Sequence, residues 1–141
     1  MADPDPQAGA ARIEDAVPMA KTLGIRTVSA SKDQMVLALD WRPEITQPAG
    51  LMHGGAIMTL ADTAGGSLSY ANLPEGATGT STIESKINFL AAVKSGTVTA
   101  TARVLKAGRS VIVVETELAD DNGQLVAKVV QTQIVLRQQS G

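Results

Sequence analysis

His53, the only histidine in the chain, stands directly before two glycines, Gly54 and Gly55, in the stretch QPAGLMHGGAIMTLAD from Gln47 to Asp62. Ile57, Leu60, Ala61, Ala64 and Leu68 then recur on one stripe, which predicts an amphipathic helix from Gly54 to Ala71. The first N–H groups of such a helix have no partner within it, and glycines let a ligand approach them closely. Together with the helix dipole they favour negative charge, such as the oxygen of a carbonyl under attack. Asp62 is the one acid in the apolar half of the helix, where desolvation makes a carboxylate more reactive than in water. It lies eight residues past Gly54, so the two are about 12 Å apart along one helix. No single carbonyl touches both. If both act on one substrate they come from different subunits, with two such helices side by side and antiparallel, so the spacing predicts a dimer.

The elements that must hold these groups come from one chain of 141 residues, long enough for a single domain with its own core. Hydrophobic residues are 44% of it but aromatics only 2%, so the core must rest on Val, Ile, Leu, Ala and Met. A net charge of -2 and a pI near 5.3 give no electrostatic case for nucleic acid. The absence of cysteine excludes disulfides and thiolate chemistry and fits a reducing compartment. One histidine cannot build a multi-histidine metal site, and no metal is expected. No 18-residue apolar run and no signal-peptide pattern appear, so no membrane partner and a cytoplasmic location are expected.

Residues 1–11, small, polar and proline-punctuated, are expected to be a disordered tail, with a domain over 12–137 and a short tail at 138–141. Ile13 to Leu23 predicts a short helix that Pro18 weakens and Gly24 ends. Ile25 to Ala30 and Met35 to Trp41 read as strands joined by a polar turn, and Arg42 to Gly50 as loop. Gly65 and Gly66 each cost the central helix roughly 1 kcal/mol against alanine. Close packing on another backbone, a neighbouring helix being the natural candidate, would explain them. Beyond the loop Asn72 to Gly79 everything reads as strand. Thr80 to Leu90 sets Ile83, Ile87 and Phe89 against Thr82, Glu84, Lys86 and Asn88; Thr97 to Leu105 alternates more cleanly. Ser110 to Ala119 and Gln124 to Leu136 flank Asn122-Gly123, a type I′ hairpin signal. One long helix inside an antiparallel meander is an α+β chain, with the helix as cover for the sheet.

His53-Gly54-Gly55 followed by Leu60 and Asp62 resembles the signature of hotdog-fold thioesterases of the phenylacetate-degradation (PaaI-like) type, and Gln47 matches the Asn or Gln that this family often carries. The likeness runs roughly from Met35 to Leu136. It implies a hotdog fold, a long helix wrapped by a curved antiparallel sheet, in homodimers that usually pair into homotetramers. It also implies activity on acyl-CoA thioesters, with CoA part of the substrate and no separate cofactor. Asp62 then matches the nucleophile or general base, and Gly54 the glycine whose N–H polarises the thioester carbonyl. His53 and Gln47 match residues shaping that end of the site. Thr82 falls where relatives often have a Ser or Thr able to hold the attacking water. Relatives often have a hydroxyl residue one turn after the acid, where this chain has Gly66, so Thr63 or Ser67 are further candidates for the water. Lys106, Gly108, Arg109 and Ser110, a basic turn between strands, are candidates to meet the phosphates of CoA.

A non-catalytic acyl-CoA-binding or sensing module and a structural oligomer with a degenerate site are the competing readings, because a fold does not fix a function. Asp62 in register with an intact Gly54 favours the enzyme over both. The histidine and acid do not follow the pattern expected of a hydratase on this fold.

Overall fold

Helix α3 (Gly54–Ala71) has the bounds its apolar stripe predicts, and Ile57, Leu60, Ala61, Ala64 and Leu68 are all buried. It belongs to a computed structural model that describes residues 12–139; the expected tail over 1–11 and the last two residues of 138–141 lie outside the described part. Two short helices, α1 (Ile13–Ala16) and α2 (Pro18–Leu23), precede β1 (Arg26–Ala30) and β2 (Gln34–Asp40). After α3 come β3 (Ala77–Phe89), β4 (Thr97–Ala107), β5 (Val111–Ala119) and β6 (Leu125–Arg137). All six strands form one antiparallel sheet in the order β1-β2-β4-β5-β6-β3, which packs along α3. This is the α+β hotdog arrangement. Val98, Ala100, Ala102, Ile112, Val114, Leu118 and Val129 face the helix and close the core.

Four local expectations are corrected. The helix expected over Ile13 to Leu23 is two, because Pro18 excludes the helical region for the residue before it. Val17 is extended, at φ -113 and ψ 102, and Pro18 restarts the helix at its first position. Within one chain, Gly65 and Gly66 do not pack on a helix backbone. A Cβ at Gly65 would overlap the carboxamide of Gln131 on β6, whereas one at Gly66 would meet nothing within 4 Å.

The third correction concerns β3, where Thr82 pairs with Gln133 but Glu84 pairs with Thr132, leaving Ile83 as a bulge. The extra residue reverses the alternation. Thr82 therefore shares the helix-facing side with Ile87 and Phe89, opposite buried Gln133, while Ile83 is 59% exposed. Finally, the β5–β6 connection is not a type I′ turn. No residue except glycine has positive φ among those described, so Asn122 lacks the conformation that turn requires. Gly123 alone is left-handed, at φ 77. The Asp120 carboxylate accepts the N–H groups of Asn122 and Gln124, both at 2.9 Å, and Asp120 and Gln124 close a three-residue loop.

Candidate active site

The loop before α3 is tied down by backbone bonds, from Met52 N–H to Val93 O and from His53 N–H to Ile45 O, both 2.8 Å. His53 is the N-cap, extended at φ -64 and ψ 135, and its Nδ1 accepts the Gly55 N–H at 2.8 Å. Its carbonyl accepts from Ala56 and Ile57. The Gly54 N–H has no partner among the described residues, so one donor is left open at the first helical position. The Phe89 ring tip lies 3.0 Å from where a Gly54 Cβ would stand. Gln47 opens the turn that Gly50 N–H closes, and its Oε1 accepts the Ala49 N–H at 2.9 Å, which leaves its Nε2 as a donor. Gln47, Gly54, Ile57 and Phe89 line one cavity of about 390 Å³. His53 does not join them: its ring faces a separate cavity of about 420 Å³ with Glu44, Thr46 and Thr59.

Two turns further along α3, Asp62 faces the edge strand β3. Its Oδ1 accepts from the Thr82 hydroxyl at 3.0 Å and from Gln131 Nε2 at 3.2 Å. Thr82 Oγ1 in turn accepts from Gln133 Nε2. The bulge at Ile83 is what places Thr82 here. Asp62 is exposed in the single chain, not buried as its apolar helix neighbours suggest, because it sits at the sheet's edge, at the mouth of a cavity. That cavity holds about 530 Å³, lined on one side by Asp62, Thr63, Gly66, Ser67 and Tyr70. Thr82 and Gln133 line the sheet side, and Ile13 and Ala16 of α1, with Val17 after them, form a wall. The Thr63 hydroxyl is already donated to Thr59 O at 2.6 Å, so of the two extra hydroxyls Ser67 is the freer.

Helix α1 is clamped to β1 by Glu14, whose Oε2 accepts the Thr27 hydroxyl at 2.6 Å and the Thr27 N–H at 3.0 Å. Burial pushes the Glu14 carboxyl up, but the bonds from Thr27 outweigh it and hold the group below its ordinary value.

The chain thus divides the expected site. Gln47 and Gly54 share one cavity, Asp62 and Thr82 another, and α3 runs between them. Lys106, Gly108, Arg109 and Ser110 reach neither cavity. Lys106 lies near the end of β4, and the other three form the β4–β5 turn, where Gly108 N–H bonds to Val111 O at 2.9 Å and a Cβ would stand 2.7 Å from that oxygen. Lys106, Arg109 and Ser110 are exposed. Among the described residues no cluster of three or more His, Cys, Asp or Glu could hold a metal ion, and no helix is long and apolar enough to cross a membrane.

Gln131 and Gln133, each 1% exposed, are absent from the sequence reading. Their only signal is the run Val129, Gln131, Gln133, Val135, which marks two polar residues on one strand face.

The thioesterase superfamily model matches residues 49–127. A 1,4-dihydroxy-2-naphthoyl-CoA hydrolase of Listeria monocytogenes is 34% identical over 106 residues, 75% of this chain and 85% of that one. A mutant thioesterase of Pseudomonas aeruginosa superposes with a TM-score of 0.84 at 26% identity, covering 96% of both chains. A thioesterase of Haemophilus influenzae gives 0.79 at 27% identity, over 84% of this chain and 82% of that one.

Proposed function

Since the chain belongs to the thioesterase superfamily and is a thioester hydrolase, we propose that it cleaves an acyl-CoA to free acid and CoA in sites each built by two subunits. The observation that carries this reading is the Asp62 carboxylate. Two donors hold its Oδ1, while its Oδ2 has no partner among the described residues and the group borders the 530 Å³ cavity. Asp62 takes a proton from the water that attacks the thioester carbon, or attacks that carbon itself to form an acyl-aspartyl anhydride that water then hydrolyses; in both cases CoA leaves as the thiol with a proton drawn from the water. The Gly54 N–H of the partner subunit meets the developing oxyanion, with the Gln47 Nε2 beside it as a second donor. The acyl group occupies the cavity between α3 and α1, where Gly66 leaves room. CoA is part of the substrate, and neither metal nor redox cofactor is required. The assignment to the phenylacetate-degradation type rests on the motif from His53 to Asp62, and a cytoplasmic location on the lack of cysteine and of an apolar span.

The dimer is supported by β3, which offers 13 residues of edge with Ile83 and Phe89 exposed. A bare edge of that length is a template for pairing with a second copy. Two β3 strands run antiparallel across a twofold axis would lay the α3 helices antiparallel, setting the Gly54 end of one near the Asp62 of the other. Val130, Ile134 and Leu136, exposed on the outer sheet face, fit a second interface and hence a tetramer. Lys106 and Arg109 offer cations to the CoA phosphates from an exposed turn.

A panel of acyl-CoA esters assayed by thiol release tests the reading. Asp62→Asn should bind the best substrate with KM little changed and lose on the order of 10²–10⁴-fold in kcat. Wild-type turnover by Asp62→Asn would sink the mechanism and move the reaction to another site.

A further inference from the structure

The geometry points to Gln131 and Gln133 as positioning residues that fix which oxygen of Asp62 reacts, an inference that rests on Asp62 being the reacting carboxylate. Both glutamines come from the helix-facing side of β6 and are 1% exposed. A buried carboxamide is rare without a task, because each unpaired polar atom costs solvation. Here the donors are used in one direction only. Gln133 Nε2 donates to Thr82 Oγ1, which leaves the threonine hydroxyl hydrogen to be donated to Asp62 Oδ1 at 3.0 Å. Gln131 Nε2 donates to the same Oδ1 at 3.2 Å. The rotor of a threonine hydroxyl is otherwise free, so Gln133 decides where its hydrogen points. Two bonds on Oδ1 stop the carboxylate from turning about χ2 and present Oδ2 to the cavity.

Gly65 completes the device. A Cβ there would overlap the Gln131 carboxamide, so α3 rides on this side chain where any other residue would push it away. Gln131 Oε1 is buried with no partner among the described residues. The amide is therefore held by packing under Gly65 and by its single bond to Asp62, an arrangement that serves the carboxylate better than it satisfies the amide. Thr82 also takes on a different task from the one the resemblance implies. Its hydrogen is spent on Asp62, so it orients the carboxylate, and water can reach it only as a donor to Oγ1.

The test uses near-isosteric variants that lack the donors, in the intact enzyme with its best acyl-CoA. Gln131→Met should lower kcat on the order of 10-fold, the loss expected for a hydrogen bond to a charged group, and Gln133→Met, whose bond is to the neutral Thr82 hydroxyl, by about 2–10-fold, both with KM within about twofold. A structural role would also lower kcat, so the discriminating readout is a cycle. In a Thr82→Val background Gln133→Met should cost nothing further, because the glutamine acts through that hydroxyl. Gln131→Met should still cost its full factor there. Gln131→Glu keeps the shape but sets an acceptor against Asp62, and should fall further than Gln131→Met. Circular dichroism and thermal melting confirm that each variant is folded. Wild-type kcat in folded Gln131→Met, or an undiminished cost of Gln133→Met without the Thr82 hydroxyl, overturns the inference while Asp62→Asn remains inactive. Activity in Asp62→Asn instead overturns the reading on which it rests.

Discussion

Asp62 and Gly54 stand out in the sequence because each is the wrong residue for its place, an acid in an apolar run and a poor helix former at a helix start. Gly65 and Gly66 are equally conspicuous there, yet adjacent positions on one helix prove to have opposite reasons. Gly66 opens on the cavity, so Gly66→Ala should raise stability by about 1 kcal/mol through helix propensity alone. If the acyl group lies over it, the same change raises KM for bulky acyl-CoA esters more than for small ones. Gly65→Ala gains the same propensity but collides with Gln131, so the melting temperature should fall and kcat with it. Equal effects of the two alanines in melting and in the acyl-CoA panel would contradict this division. Gln131 and Gln133 stay hidden in the sequence for a physical reason. Val130, Ile134 and Leu136 make the opposite face of β6 the more apolar one, and alternation alone then points the glutamines outward. Only pairing with β5 and β3 settles which face meets the helix.

At the level of elements, periodicity predicts the type of every long segment, and the errors fall where a single residue shifts a phase. The bulge at Ile83 is one, and it moves Thr82 from the solvent side to Asp62. A period-two pattern cannot reveal an inserted residue, because the run reads as continuous on either side. The loop from Asp120 to Gln124 is another. There Gly123→Ala should destabilise by about 1–2 kcal/mol, since φ 77 is costly for any residue with a Cβ. Asn122→Ala should stay within about 0.5 kcal/mol, because Asn122 does not occupy a left-handed conformation. Denaturant titration of both, with turnover unchanged, checks the turn type. The α1 wall adds a pH dependence. Glu14 lies below its ordinary value when folded, so its bond to Thr27 stabilises the chain above the unfolded carboxyl range and is lost as pH falls through the folded value. Wild-type should therefore melt above Glu14→Gln near neutral pH, and the gap should close as pH drops from about 6 to 3. A gap that widens on acidification would reverse the sign.

For the whole molecule, what one chain leaves undone is the strongest guide to its assembly. The open Gly54 N–H and the Asp62 carboxylate, the donor and acid of the proposed site, lie in separate cavities on one helix, and the longest edge strand is bare in the single chain. That separation is legible in the sequence from the spacing alone, as about 12 Å of helix between Gly54 and Asp62. Which surface would join two copies is not, because an edge strand is defined by the absence of a neighbour and pattern does not record absences. The joined site predicts complementation between two inactive chains. Gly54→Pro removes the open N–H at a position where proline suits a helix, and His53 before it is already extended as proline requires. The Phe89 ring tip must shift to admit the new ring. Gly54→Ala keeps the N–H and meets the same ring, so it controls for that shift. Homodimers of Gly54→Pro and of Asp62→Asn should each be nearly inactive. Mixed dimers pair the mutated donor with the mutated acid in one site and leave the other site intact. At random mixing half of the dimers are mixed, so about a quarter of the wild-type site activity should return. If subunit exchange is shown by mass spectrometry and the mixture stays inactive, donor and acid belong to one chain and the shared site is wrong.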